Sequence, residues 1–371
     1  MTKLLKGLKM WHPSLPLTSS TLLKTPKNVE ILKIGSGEHH YFGLKNSIKK
    51  TLPTLELSHK CLNLSFNVDR VSLYKSNNKQ FWPILCSVEE DPKQQPILIA
   101  LFCRSSKPPI EDFLSAFIYD LKILQFNGLA YNHEFFEIKI KLFCCDAPAK
   151  AYLKGIKGHN GYYGCDRCCE KGVRLDHRTT FPERRKGTAE KRDNNSFRCQ
   201  KQKEHHIFQS PSLELDIDMV KDFPHDAMHL IFLGVIRCML YCCIGRGSSI
   251  SDKISFQNRK LLSKRLIETS QCWPTEFNRK PRSLHETDYW KVTEFRSFLL
   301  YLGPCYLKDI LNSQYYCHFM LLFLATHILS SKDHCLLLNG YAHELLKLFV
   351  QKSKNYMDLN FWFTTYILCC I

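Results

Sequence analysis

The sequence has no apolar run of the eighteen or so residues that a membrane-spanning helix requires. The nearest approach, residues 319–329, is interrupted by Thr326 and His327 and therefore predicts a buried helix. Residues 1–6 also do not follow the pattern of a secretory signal peptide. These absences argue against a membrane protein and against a secreted one.

The cysteine pattern of a small disulfide scaffold is also missing, although the chain contains 18 cysteines among its 371 residues. Disulfide scaffolds are short, secreted and poor in core. Here many cysteines lie inside apolar runs, as Cys86, Cys103, Cys238 and Cys317 do. We expect most of them to be buried thiols in a reducing compartment.

Acidic residues are scarce: 35 Asp and Glu stand against 52 Lys and Arg, and the formal net charge is +17. Residues 1–60 contain ten lysines and three glutamates but no arginine or aspartate, and residues 183–204 contain eight basic residues against four acidic ones. This excess favours a polyanionic partner such as nucleic acid, with a solvated basic surface as the alternative. The candidate DNA contacts in the second stretch are Arg184, Arg185, Lys186, Lys191 and Arg192.

Two aspartates each follow a run in which apolar and polar residues nearly alternate, a pattern typical of strands. Asp69 follows residues 62–68 and Asp146 follows residues 136–145. A carboxylate at the end of a strand projects into the mouth of a sheet, and two of them side by side suit Mg²⁺, which prefers oxygen ligands. In the alternative interpretation, each aspartate caps the next turn or helix.

The order of the predicted elements places these two aspartates together. Three strands joined by tight turns are followed by a helix, and the helix returns the chain so that a fourth strand lies parallel to the first, beside it. We predict an α/β fold with both carboxyl groups at one edge of a mixed sheet, within about 7 Å of each other as shared metal ions require. The elements are a short helix over 41–52, strands over 61–68, 81–88 and 96–103, a helix over 111–124, the strand before Asp146 and a helix over 149–156.

The rest of the chain divides by composition. We predict a basic lead-in over 1–52, an α/β core over 53–156, a segment rich in Cys, Lys and Arg over 157–212, a helical region over 213–355, and an apolar tail over 356–371. The predicted helices of the fourth part cover 226–243, 256–270, 291–301, 306–312, 315–330 and 334–351. The tail lacks an obvious partner, and we expect truncation or a frame change there.

A Cys-x-x-Cys pair, Cys165 and Cys168, opens the third part. This spacing lets two thiolates approach one Zn²⁺ from a tight turn. Two more ligands must come from elsewhere, and Cys199 with His205 or His206 would complete a local knuckle. The alternative is a chance spacing in a cysteine-rich chain.

Two histidines, His225 and His229, are four residues apart. On a helix this spacing places both on one face, where they can bind one metal ion. No Glu follows the first histidine, so the metalloprotease pattern fails. The alternative is a helix start with one buried histidine.

Four stretches, taken together, resemble the CACTA-type cut-and-paste DNA transposases. The order and combination are more specific than any one stretch, and with weaker flanking similarity they span roughly residues 20–350. The stretches are residues 67–76 with 81–85, residues 145–151, residues 157–168, and residues 226–235 with 290–296.

The resemblance implies a ribonuclease-H-like core with two Asp and one Glu around two Mg²⁺ ions, interrupted by a zinc-half motif and a mostly helical insertion. Asp69 and Asp146 would be the first two metal ligands, and Cys165 and Cys168 half of a Zn²⁺ site. His229, with the methionine before it, would make a structural or DNA-facing contact.

The implied function is that of a DNA transposase: Mg²⁺-dependent phosphodiester hydrolysis and strand transfer at the ends of a transposable element. The implied partners are the element ends, the target DNA and a possible second copy of the chain. The implied location is the nucleus.

The sequence also departs from this family. The His-x-x-x-His pair and the catalytic Glu are expected beyond residue 350, Arg70 replaces the usual Gly after the first Asp, and Glu294 is a weak substitute for the third acid. We therefore expect degenerate activity. The alternatives are a non-catalytic module that binds DNA or protein, and a zinc-knuckle protein that uses Cys165, Cys168, Cys199 and His205.

Overall fold

The structure is a computed structural model that describes residues 1–25, 29–54, 60–73, 78–91, 93, 95–175, 178–181, 190–245 and 254–356. Its architecture is mixed α/β: a mixed sheet with its packed helices is followed by a helical region. From residue 357 onward the predicted apolar tail lies outside the described residues, as do Arg184, Arg185 and Lys186.

The sheet joins strands from the first 144 residues in the order β1-β2-β6-β5-β3-β8-β7, with β4 beside β5. The pair β3 and β8 is parallel, and the other pairs are antiparallel. A separate small hairpin consists of β9 and β10. The strands are β1 (Leu32–Ile34), β2 (Gly37–Tyr41), β3 (Cys61–Val68), β4 (Val71–Ser72), β5 (Gln80–Val88), β6 (Ile97–Arg104), β7 (Leu129–Tyr131), β8 (Glu134–Cys144), β9 (Val173–Leu175) and β10 (Arg178–Thr180).

The predicted strands are confirmed because their alternation corresponds to burial. In β3 every second residue is buried, from Leu62 through Phe66 to Val68, and β5 repeats the pattern with Trp82 and Ile84. Successive side chains in a strand point to opposite faces, so one face of these strands forms the core.

Helices precede, cover and follow the sheet. They are α1 (Thr2–Leu8), α2 (Ser19–Leu22), α3 (Leu44–Thr51), α4 (Ile110–Asn127), α5 (Ala147–Lys154), α6 (Asn194–Arg198), α7 (Arg237–Cys243), α8 (Phe256–Gln271), α9 (Val292–Ser297), α10 (Gly303–Tyr306), α11 (Ser313–Ser330), α12 (His334–Leu337) and α13 (Asn339–Tyr356). Two π-helical stretches, Met228–Ile236 and Phe298–Leu302, lead directly into α7 and α10. Within the described ranges, no helix has the length and apolar character needed to span a bilayer.

Two helix predictions were wrong. Residues 307–312 form turns, because the preceding helix ends at Tyr306 and Asn312 caps the next one by accepting a hydrogen bond from the Gln314 backbone N–H. The long helix over 334–351 is divided at Leu338 into α12 and α13.

Among the described residues, buried apolar side chains form two large cores, one in the sheet and one in the helical region. The sheet core runs from Leu44 to Phe223, and the helical core from Phe232 to Val350. The predicted boundaries at residues 53 and 213 therefore do not separate packing units. In particular β2 pairs with β6 and α3 buries Leu44 and Ile48 in the sheet core, so residues 1–52 are not a separate lead-in.

The Phe143 side chain on β8 joins the sheet to the segment that leads into the helical region. Its ring stacks on Phe66 at 5.3 Å and on Phe223 at 5.0 Å between centroids, and it is 2% exposed. We expect Phe143→Ala to lower the free energy of unfolding by about 3–5 kcal/mol, because it leaves a cavity between stacked rings. Urea denaturation measures this loss.

The control is Phe135→Ala on the same strand, since that ring is 58% exposed. We expect this variant to lose less than about 1 kcal/mol. Equal losses in the two variants would contradict the assignment of Phe143 to the core.

Candidate functional site

Three chain segments run side by side in the same direction and each leads into an aspartate. In the parallel pair of β3 and β8, Asn67 pairs with Cys144, so Asp69 and Asp146 both follow two residues later at the same end. On the other side of β8, His225 forms a parallel bridge with Cys145, and Asp226 is the next residue. The fold thus brings Asp69, Asp146 and Asp226 to one edge of the sheet, which we call the acidic edge.

Hydrogen bonds fix these three segments to one another. The Asn67 side-chain amide donates to the Cys144 carbonyl at 2.7 Å, and the Phe143 N–H donates to the Asp222 carbonyl, also at 2.7 Å. The second bond, with the bridge between Cys145 and His225, ties the segment before Asp226 to β8. Each of the three aspartates therefore follows backbone that is bound to a neighbouring segment.

Electrostatics show that the groups of the acidic edge lie close enough to influence one another. Burial raises the pKa of Asp69, and the negative charges of Asp146 and Asp226 raise it further. The Arg70 backbone N–H, which donates to Asp69 Oδ1 at 2.6 Å, and His229 act in the opposite direction. Two or more carboxylates that share a desolvated edge favour a cation between them.

Asp146 also caps a helix. Its Oδ1 accepts a hydrogen bond from the Ala149 N–H at 2.7 Å, at the start of α5. The capping interpretation of Asp146 is therefore correct, and it coexists with membership in the acidic edge. The cap fixes the carboxyl group in a defined orientation.

Asp226 is the residue that sequence reasoning missed. Its Oδ1 accepts from the Met228 N–H at 2.8 Å, and its Oδ2 lies 2.5 Å from His229 Nδ1. The spacing of His225 and His229 points to the histidines and assigns no role to the aspartate between them. The available signal was the Asp-x-x-His spacing directly before a helix, where an aspartate binds the first backbone N–H groups and the histidine three residues on faces it.

The structure does not form the metal pair that the spacing of His225 and His229 allows, and it agrees with the alternative, a helix start. Residues 225 and 226 precede the helical turns, so the four-residue spacing does not place the two rings on one helix face. The His225 side chain is 10% exposed and contacts Asp166 and Lys150, whereas His229 contacts Asp226. The two rings therefore contact different carboxylates.

The acidic edge suits some metal sites and not others. Among the described residues, no group of three or more His, Cys, Asp or Glu side chains is arranged to hold one ion. An all-protein cage is therefore absent from this part of the chain. The donor chemistry instead fits Mg²⁺, which is usually held by one or two carboxylates and completed by water and substrate phosphates.

The Cys165 and Cys168 thiols lie 3.3 Å apart, Sγ to Sγ, and both are buried beside Phe181. The predicted local knuckle was wrong in its other ligands. Cys199 is exposed and contacts Asn195, and the His205 ring is turned so that Nδ1 lies 2.6 Å from the Tyr163 carbonyl oxygen.

His205 and His206 are packed against each other and against Phe197. Burial lowers the pKa of His205 to about 3, so its ring is neutral at physiological pH. In the described ranges neither ring joins the cysteine pair in a cluster of ligands. These histidines therefore belong to the packing around α6.

The other predicted site residues have separate positions. Arg192 is 7% exposed and donates to the Cys165 carbonyl at 3.1 Å, so it supports the cysteine turn from inside and is not a surface DNA contact. Lys191 is exposed. Glu294 is buried in the helical region, where it pairs with Arg282 at 2.6 Å, so it is not the third acid.

No protein-family model matches this chain. A comparison with curated proteins also finds no match. The assignment of function therefore depends on the acidic edge, the cysteine pair and the resemblance described above.

Asp69 provides a test of the electrostatics of the acidic edge. Its pKa is raised above the ordinary 3.8, so folding favours the protonated form, and the ionised form destabilises the fold as pH rises through the raised pKa. Without divalent cations at pH 7, we expect Asp69→Asn to increase the free energy of unfolding by roughly 0.5 kcal/mol, a small value because the group is partly solvated. The gain disappears below pH 3.8, where both states are protonated.

Urea titrations of both proteins from pH 3 to 8 measure this difference. Asp309→Asn, at a side chain that is 72% exposed, is the control and should show no gain. A wild type that is more stable than Asp69→Asn at pH 7 in chelator would contradict the proximity of the three carboxylates.

Proposed function

We propose that the chain is a transposase-derived protein that binds DNA and carries out divalent-metal-dependent phosphodiester chemistry at its acidic edge. The observation that carries this proposal is the convergence of Asp69, Asp146 and Asp226 at the ends of three adjacent parallel segments. The resemblance to CACTA-type transposases anticipates the first two of these residues as metal ligands.

The topology supports a ribonuclease-H-like core. Strands β6, β5 and β3 form an antiparallel meander, α4 follows β6, and β8 returns parallel to β3. This is the arrangement that the family resemblance implies before its helical insertion. The helical region with its own core then corresponds to that insertion.

In the proposed site, Asp226 takes the place of the third acid, which the resemblance to the family does not locate in this sequence. Asp69 and Asp146 would hold Mg²⁺ together with water and phosphate oxygens, and Asp226, oriented by its contact with His229, would add negative charge beside them. Bound Mg²⁺ would activate the attacking oxygen and stabilise the leaving 3′ oxygen. The chain's own contribution is to hold three carboxylates on fixed backbone and to keep Asp69 partly desolvated, which strengthens its attraction for a cation.

The remaining elements of the proposal follow the resemblance. Cys165 and Cys168 would form half of a Zn²⁺ site, because two buried thiols at this spacing can bind one ion. The basic excess would bind the phosphates of element ends and target DNA, in the nucleus. Self-association of the chain is a further part of the expected transposase behaviour.

Two observations favour a second candidate, a DNA-binding module without catalysis. The described residues contain no arrangement of three ligands around one point, and Arg70 places a cation directly after the first aspartate. Such a module would keep the fold and the basic surface but would not cleave DNA.

A nicking assay on supercoiled plasmid DNA with Mg²⁺ or Mn²⁺ separates the two candidates. We expect slow metal-dependent nicking that falls about a hundredfold in Asp69→Ala and in Asp146→Ala, because each removes charge stabilisation from the transition state. DNA binding should persist in both variants. Salt-sensitive binding with no nicking in any metal would support the non-catalytic module instead.

Variants of Asp226 and Glu294 test which of the two residues is the third acid. We expect Asp226→Ala to lower the nicking rate about a hundredfold, while Glu294→Gln leaves the rate unchanged because Glu294 pairs with Arg282 in the helical region. Rates are measured at saturating Mn²⁺. The reverse result would assign the third acid to Glu294 and remove Asp226 from the site.

A further inference from the structure

The two residues between the paired cysteines contact the acidic edge indirectly. Asp166, between Cys165 and Cys168, is 2% exposed. Its Oδ2 lies 3.0 Å from Lys150 Nζ, and its Oδ1 lies 3.4 Å from His225 Nε2. The turn that carries the cysteines is thus joined to the residue that directly precedes Asp226.

Arg167 is bound to the same segment through its guanidinium group. Its Nε lies 3.2 Å from His225 Nε2, and one terminal nitrogen donates to the Phe223 carbonyl at 2.8 Å. The other terminal nitrogen donates to the Val220 carbonyl. One planar side chain therefore holds the backbone of residues 220–223 and the ring of residue 225.

Lys150 joins the same network to Asp146. It lies in the first turn of α5, the helix that Asp146 caps, and its Nζ lies 3.0 Å from His225 Nδ1. The same ammonium group lies 3.4 Å from the Pro224 carbonyl oxygen. The segment of Asp226 is thereby fixed to the helix of Asp146.

The charged groups around Asp166 and His225 shift the pKa values of both side chains. Burial alone would raise the pKa of Asp166, but the surrounding His225, Lys154, Lys150 and Arg167 more than offset this and hold it well below its usual range. Burial, with Lys150 and Arg167 beside it, lowers the pKa of His225 to about 3, so the ring is neutral at physiological pH. A buried carboxylate between two cations and a neutral ring is a network that resists rearrangement, because breaking any contact leaves a buried charge unpaired.

We propose that Asp166 and Arg167 are positioning residues, which set the place of Asp226 relative to Asp146 through His225 and the carbonyls of residues 220 and 223. The turn between the cysteines is then a mechanical support of the acidic edge as well as half of a zinc site. This inference rests on the proposed function, since it concerns the affinity of the acidic edge for a divalent cation.

Arg167→Met gives a test in which positioning and simple electrostatics predict opposite signs. Removal of a cation near a cation site should strengthen Mn²⁺ binding if only charge matters. If Arg167 positions Asp226, Mn²⁺ binding should weaken about tenfold, as is typical when the supporting partner of a metal ligand is lost. Isothermal titration of the full chain with Mn²⁺ measures the dissociation constant.

Arg198→Met is the matched control. Arg198 also donates to backbone carbonyls, those of Leu213, Leu215 and Ile217 at 2.8–2.9 Å, and its Nε donates to Asn194 Oδ1 at 3.1 Å; these described hydrogen bonds do not include His225. We expect this variant to lose stability to urea, as Arg167→Met does, with an unchanged affinity for Mn²⁺. An equal loss of affinity in both variants would reduce the effect to general destabilisation and overturn the proposal.

Arg167→Lys keeps the positive charge but removes the planar guanidinium group with its several N–H donors. This variant therefore tests the positioning role of Arg167 if Arg167→Met does not fold. We expect weakened Mn²⁺ binding in this variant too, because a single ammonium group cannot hold two carbonyls and a ring in that geometry. Wild-type affinity in Arg167→Lys would overturn the positioning role.

Asp69→Ala separates failure of this inference from failure of the proposed function. If wild-type Mn²⁺ binding is unchanged by Asp69→Ala, the acidic edge is not a metal site and both ideas fail together. If Asp69→Ala abolishes binding and the Arg167 variants leave it intact, the proposed site stands and the positioning role is wrong.

Discussion

The parallel pairing of β3 with β8 is the constraint on which the rest of the structure depends. Antiparallel neighbours place the ends of successive strands at opposite edges, whereas a parallel pair brings two strand ends to the same edge. Here α4 carries the chain back from β6, so β8 runs alongside β3 and both end in aspartate. The segment of His225 repeats this arrangement on the other side of β8. Without the parallel pairing, Asp69 and Asp146 would have no reason to share an edge.

Next to the acidic edge lies a network of charged side chains that fixes the segment before Asp226. The carboxylates lie at the open end of the strands, where Asp69 is partly solvated. The buried Asp166 and Lys150 and the partly buried Arg167 contact the ring of His225, the residue before Asp226. A carboxylate that must bind a cation needs freedom from other cations, while the backbone that carries it needs firm anchorage. Lys150 and Arg167 contact His225, one residue before Asp226. They therefore anchor the backbone of this segment through the preceding residue.

Local patterns predicted the sheet because burial and alternation coincide there. Strands β3 and β5 bury alternate residues on one face, whereas alternation is interrupted in β6 and β8. The strand order follows from short turns and one crossover helix. Asp226 could not be found in the same way. Its place at the acidic edge arises from two contacts with β8, Phe143 with Asp222 and Cys145 with His225, which leave no periodic signal. The Asp-x-x-His spacing indicates a helix start but not the neighbouring carboxylates. His225 and His229 do not share a helix face for a related reason: the four-residue spacing applies only within a helix, and His225 precedes it. Arg192 was misassigned because a basic residue in a basic stretch gives no sign of its burial.

The π-helical stretch from Met228 to Ile236, which begins two residues after Asp226, has a consequence for how this chain tolerates length changes. Each π-turn closes a bond from residue i to residue i+5, so it encloses one residue more than an α-turn does. Removal of a single residue from this stretch would restore α-helical bonding while α7 keeps its place in the helical core. Homologous chains aligned with this one should therefore differ by one residue inside an apolar helix, a place where gaps are normally penalised, and the spacing from Asp226 to the helical core should vary more than the spacing from Asp146 to Asp166.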